Sequence, residues 1–201
     1  MINASILQNK NENRRFFMLK VAVFLDYANI NSASSSSLCK INYEALLKYL
    51  ADYDEGRNLK VAYAYVPIDP RREHAMSDEI TLLWDSGYIV RSKVGVIAGN
   101  TYKCNFDIEM TLDIVKTSFE INPDIVVIVS GDSDFVPVVK ELREKGIRVE
   151  IASFNRSMSR LLSSVCSDVI CLDELIEESN DDVGYDSLVN DSQNVIDEEY
   201  E

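Results

Sequence analysis

Histidine is almost missing from this 201-residue chain, which contains only His74. One imidazole excludes a pair of histidines acting as acid and base, and it excludes a histidine-rich zinc site. The four cysteines, at 39, 104, 166 and 171, form no CxxC pair, so neither a zinc knuckle nor a redox dithiol is encoded. Reduced thiols in a cytoplasmic protein are the expectation. Long apolar runs are also lacking. Val21–Leu25 and Ile125–Val129 have the size of buried strands and fall far short of a bilayer span. The first residues have no extended apolar stretch of the secretory kind. Positive charge is scarce, and the net charge of −14 argues against a simple electrostatic grip on nucleic acid. Its distribution changes that reading. Residues 173–201 carry twelve acids and no base, and removing these from the total of 34 leaves 22 acids against 20 bases in the body. Three segments follow: an extension over 1–19, one domain over 20–173, and an acidic, disordered tail over 174–201.

Within the domain, short β-rich runs alternate with amphipathic ones. Strands are expected at Lys20–Leu25, Lys60–Val66 (stopped by Pro67), Tyr88–Val90, Ile125–Ser130, Ile147–Ala152 and Val169–Leu172. Asn42 is placed to cap a helix over Tyr43–Tyr53, and further helices fit Arg71–Asp85, Phe106–Ile121, Val136–Lys145 and Ser157–Ser164. In Phe106–Ile121 the spacing of Ile108, Leu112, Val115 and Phe119 predicts the inward face, and Trp84 is expected in the core. The Asn- and Ser-rich stretch after Asp26 reads as a loop, and the Gly-punctuated Lys93–Lys103 as a hairpin or irregular loop. This alternation predicts an α/β fold: three layers, helices on both sides of a mainly parallel sheet.

Parallel sheets present their chemistry beyond the carboxyl ends of the strands, where strand order reverses. Asp26 directly follows the first strand. Asp132 and Asp134 directly follow the fourth. If those strands are neighbours, Asp26 and Asp132 face one crevice, which Asp107 can reach from the helix leading into the fourth strand. Unpaired clustered carboxylates repel one another, and Mg2+ or Mn2+ relieves this. Such an ion can bind a phosphate oxygen and prepare a water for attack on phosphorus. Taken singly, each Asp also suits a turn or a helix start.

The sequence Val23-Phe24-Leu25-Asp26-Tyr27-Ala28-Asn29-Ile30 resembles the opening strand of NYN domains in the branch of bacterial LabA-like proteins, within the PIN-like nuclease superfamily. Asn105-Phe106-Asp107-Ile108-Glu109-Met110-Thr111-Leu112-Asp113 is similar to the family's second motif. Val129-Ser130-Gly131-Asp132-Ser133-Asp134-Phe135-Val136-Pro137 resembles its third closely. The resemblance covers about residues 20–173. It implies a PIN-like fold and a metal-dependent ribonuclease, with Asp26, Asp107 and Asp132 at Mg2+ or Mn2+ and with Asn29 and Asp134 adjacent. Asp113 falls about 120° further round its helix than Asp107. One departure stands out. The family has a Lys shortly before its second-motif Asp; here Asn105 is two before and Lys103 four before, so any basic contact falls to Lys103.

Arg71 and Arg72, expected to open a helix, are candidates for phosphate contact, as is Lys103. Tyr102, flanked by Arg91, Lys93 and Lys103, could line a channel for single-stranded RNA. Homo-oligomerisation is left open. Two other functions compete. A haloacid-dehalogenase-like phosphatase needs a second Asp two residues after its nucleophile, where this chain has Ala28. A non-catalytic RNA-binding module on the same fold is the other.

Overall fold

The computed structural model describes residues 18–35, 41–51, 56–71, 75–99 and 101–173. The expected 1–19 extension and acidic tail, apart from Met18 and Leu19, lie outside them, as does Arg72. In chain order the elements are β1 (Leu19–Asp26), α1 (Tyr27–Ser35), α2 (Tyr43–Leu50), β2 (Arg57–Ile68), α3 (Ala75–Asp85), β3 (Ile89–Val94), β4 (Val96–Ala98), β5 (Thr101–Lys103), α4 (Asp107–Glu120), β6 (Ile125–Val129), α5 (Val136–Glu144), β7 (Arg148–Ser153), α6 (Arg160–Val165) and β8 (Asp168–Cys171). The central sheet has six strands in the order β3-β2-β1-β6-β7-β8, and every pairing in it is parallel. β4 and β5 form a separate antiparallel hairpin.

Side chains alternate across the sheet, so each strand feeds two cores. Val21, Val23 and Leu25 pack with Ile30 of α1, Leu46 and Leu50 of α2 and Leu83 of α3. Ala22 and Phe24 pack on the other face, with Met110 and Ile114 of α4, Val139 and Leu142 of α5 and Leu162 of α6. These two clusters are the two interlayer spaces of an α/β/α sandwich. Each fully buried Leu or Ile contributes about 1.5–3 kcal/mol.

Five local expectations are corrected. The stretch after Asp26 is helical, because the Asp26 carboxylate accepts from the Asn29 N–H (3.2 Å) and caps it, while Tyr27, Ile30 and Ala33 recur at helical spacing and are buried. α3 begins at Ala75, not at Arg71. On α4 the buried residues are Met110, Ile114, Thr117 and Ser118. Ile108 (74% exposed), Leu112 and Phe119 face outward. Met110 is two residues from Ile108 and Leu112, about 200° round the helix, so the apolar stripe and the buried stripe are opposite faces. Ser118 tolerates burial because its hydroxyl donates to the Val115 carbonyl (2.6 Å). Trp84 is exposed, and Leu83, with Ile80 and Met76, carries the inner face of α3.

β2 also runs through Pro67, whose register partner is Lys93 of β3. The pairing of β1 with β2 ends at Asp26 and Tyr65, so the missing N–H of Pro67 interrupts no ladder on that side.

Candidate metal centre

Strand order reverses between β1 and β6, the two middle strands of the sheet. Both of their carboxyl ends open into the crevice that results. Asp26 is the last residue of β1. β6 ends at Val129 and is followed by Ser130, Gly131 and Asp132. Asp132 caps a 3-10 turn, Ser133–Phe135, by accepting from the Asp134 N–H (3.0 Å). Asp107 opens α4, which packs across this end of the sheet near the turn.

Carboxylate oxygens of Asp107, Asp132 and Asp134 all lie within 4.8 Å of one another. Asp26 sits deeper, beside two of them. Burial raises its pKa, the Asn29 N–H and Ser130 hydroxyl oppose that, and the charges of Asp107 and Asp132 add to the rise. Asp107 is also pushed up, first by burial; Asn105 opposes this, while Asp132, Asp134 and Glu109 add to it. The structure thus brings all four predicted aspartates to one place. The tightest group is Asp107, Asp132 and Asp134, and Asp26 is the more buried acid near Asp107 and Asp132.

A short hydrogen-bonded frame holds the acids. The Ser130 hydroxyl donates to Asp26 Oδ2 (3.1 Å) and accepts from the Asp132 N–H (3.2 Å), so one side chain ties β1 to the turn. Asn29 Oδ1 accepts from the Gly131 N–H (3.1 Å), which makes it a brace for the turn. Gly131 is required by close approach: a Cβ there would lie 2.1 Å from the Ser157 carbonyl oxygen. Asn105 grips Asp107 twice, donating from Nδ2 to Oδ2 (2.6 Å) and accepting from the Asp107 N–H (2.7 Å).

The remaining predicted residues are placed as follows. Lys103 is exposed on the hairpin opposite Val96. The basic group near the start of α4 is Lys93 of β3. Its Nζ donates to the Asn105 carbonyl (2.7 Å), pairs with Glu109, and lies 4.7 Å from the centre of the Phe106 ring. Arg71 folds back on Asp69, with Nε–Oδ1 2.9 Å and Nη2–Oδ2 2.6 Å. Asp113 accepts from the Tyr65 hydroxyl (2.9 Å) and pairs with Arg91, away from the acidic trio. Ser130 and Asn105 were not among the predicted site residues, and Lys93, expected beside an RNA channel, instead supports the start of α4. Ser130 carried a signal in the sequence, as a hydroxyl closing an otherwise wholly apolar strand.

The donor set suits a hard divalent cation. It offers only oxygens, and none of the four aspartates forms an ion pair among the described residues. An octahedral ion about 2.1 Å from its ligands holds them roughly 3–4 Å apart. The observed spread of up to 4.8 Å needs only a slight inward movement or one bridging water.

Comparison with known proteins decides the family. The NYN domain matches residues 20–173. This chain belongs to the NYN domain family. It is 28% identical over 164 residues to Low amplitude and bright protein LabA of Synechococcus elongatus, which covers 78% of this chain and 85% of LabA. It is LabA-like over about four-fifths of its length. A crystal structure of a protein of unknown function from Vibrio parahaemolyticus superimposes with a TM-score of 0.64 at 21% identity, covering 79% of this chain and 95% of that one. That likeness shows the fold. No described helix is long and apolar enough to cross a membrane.

Proposed function

We propose that this NYN protein is a metal-dependent ribonuclease that hydrolyses phosphodiester bonds of single-stranded RNA with Mg2+ or Mn2+. The observation that carries the reading is the mutual approach of Asp107, Asp132 and Asp134 beside the more buried Asp26, with no ion pair to neutralise them among the described residues. When bound, the ion supplies Lewis-acid neutralisation of the phosphate and activation of a water for in-line attack. Asp107, Asp132 and Asp134 would hold it, and Asp26 sets the charge beneath. Ser130 and Asn29 fix the spacing between the β1 end and the turn, so the ligands need little reorganisation. Asp107 lies in the first turn of the 14-residue α4. The N-terminus of that helix favours an anionic phosphate arriving beside it. Lys93, neutralised by Glu109, steadies Asn105 and through it Asp107.

The test is cleavage of end-labelled single-stranded RNA by the full chain in Mn2+ or Mg2+, against EDTA and against Asp107→Asn and Asp132→Asn. Metal-dependent cleavage reduced at least a hundredfold in both variants is expected. Equal cleavage by wild type and variants means a contaminant is responsible and removes the proposal. RNA binding without cleavage identifies a non-catalytic module instead.

A further inference from the structure

A cleft of about 310 Å3 lies next to the acidic centre, off the carboxyl ends of β1 and β2. That is within the size range of small-molecule pockets. Tyr27, the residue after Asp26, contributes one wall. Pro67, Tyr102, Asn31 and Glu79 contribute other walls. Glu79 Oε2 is shielded from solvent and has no hydrogen-bond partner among the described residues. A buried carboxylate oxygen without a donor is costly, and a ligand bearing N–H groups removes that cost. Asp69, the other acid lining the cleft, is already held by Arg71. Tyr27, Glu79 and Tyr102 all line the cleft.

We propose that this cleft is a nucleobase subsite that receives an unpaired guanine, stacked on Tyr102 and recognised along its N–H edge by Glu79. The inference rests on the ribonuclease reading and deepens it. Glu79 carries no ion pair among the described residues while Asp69 is matched by Arg71, so the lining is net negative and disfavours an anionic phosphate, which belongs on the aspartate side where a cation would be held. A neutral, flat, donor-bearing group fits instead. Single-stranded RNA presents such groups, splayed from the backbone and stacked on aromatic side chains. Among the four bases, guanine alone offers two adjacent ring-edge donors, N1–H and the N2 amino group. A carboxylate is acceptor-only and matches that pair. Uracil flanks its single N–H with two carbonyls, while adenine and cytosine set a ring acceptor beside their amino group; each turns a lone pair towards Glu79.

The test is equilibrium titration of the full chain with 5′-GMP, 5′-AMP, 5′-CMP and 5′-UMP in Mg2+, for wild type, Glu79→Gln and Asp132→Asn. Wild type should bind 5′-GMP about tenfold or more tightly than the others. Glu79→Gln replaces an acceptor by an amide donor. It should abolish the guanine preference and favour 5′-AMP, which pairs with an amide; a merely structural Glu79 would not move the ranking this way. Asp132→Asn should keep the guanine preference while losing RNA cleavage. Equal binding of all four nucleotides, binding of none at millimolar concentration, or a ranking unchanged in Glu79→Gln each overturns the subsite. Cleavage of RNA by wild type is read separately, so the nuclease can stand when the subsite falls, and the reverse.

Discussion

Gly131→Ala isolates the steric requirement at the turn that carries Asp132. The new methyl would lie 2.1 Å from the Ser157 carbonyl oxygen, 2.6 Å from its carbon and 2.8 Å from Ser153 Oγ. Ordinary contacts begin near 3.4 Å and essentially none occur under 3.0 Å, so the loop after β7 must retreat by about 1 Å. That loop is not free to do so. Ser159 N–H bonds the Gly131 carbonyl itself (2.9 Å), Ser157 and Met158 N–H both bond the Phe154 carbonyl (3.0 Å), and the Ser153 and Ser157 hydroxyls meet at 2.9 Å. Overpacking of this kind costs about 1–3 kcal/mol. For a chain of this length each kcal/mol is about 2–4 °C, so Tm should drop by about 2–12 °C. Circular dichroism melts in EDTA measure the drop. The Mn2+-induced rise in Tm should also shrink, because Asp132 moves with the turn. Gly146→Asn is the control: that glycine has φ +81° with open space around a Cβ, so Asn, which tolerates the left-handed region, should cost under about 0.5 kcal/mol. A Gly131→Ala protein that melts within 1 °C of wild type and responds fully to Mn2+ would refute the close-approach argument.

Asp26 and Asp107 have carboxyl pKa values raised by burial and by neighbouring acids, so their contribution to stability is full below the unfolded value and is lost as pH rises through the folded one. In EDTA, Asp26→Asn and Asp107→Asn should therefore melt above wild type at pH 7, with the gap closing towards pH 4; lower melting at pH 7 contradicts the assignment. Glu150 is 1% exposed on β7 and binds Arg57 (2.9 Å) and Arg148 (2.7 Å), so Glu150→Ala should cost about 2–3 kcal/mol in urea unfolding, and a loss under about 0.5 sinks the idea. Ile108→Lys should change stability by no more than about 0.5 kcal/mol while Met110→Ala costs about 2–5, a contrast that checks which face of α4 is inward.

The sheet and the acidic residues were legible because they rest on strong local signals. Ile125–Val129 has no polar residue, so it had to be a strand buried on both faces. An Asp ending such a strand announces the carboxyl edge of a parallel sheet. Less legible was anything decided by tertiary partners. The polar α1 is helical because Asp26 caps it and Ile30 meets the core, and neither contact is local to a composition reading. The outward apolar stripe of α4 was misleading for the opposite reason: its spacing is a good inward face, yet a polar-looking Thr117–Ser118 side satisfies its own hydroxyl and packs instead. Lys93 reaches the start of α4 from another strand, so no spacing rule around Asp107 could reveal it.

The reversal of strand order between β1 and β6 also governs when this centre comes into being. β1 leaves the ribosome early, but its neighbour β6 is nearly a hundred residues behind, and Asp132 follows Asp26 by 106 positions. At about 5–20 residues per second, that interval lasts about 5–20 s. For most of it the emerging chain has Asp26 alone, Asp107 joins only near the end, and the turn that carries Asp132 and Asp134 comes last. The acidic centre is therefore complete only when the second half of the sheet docks.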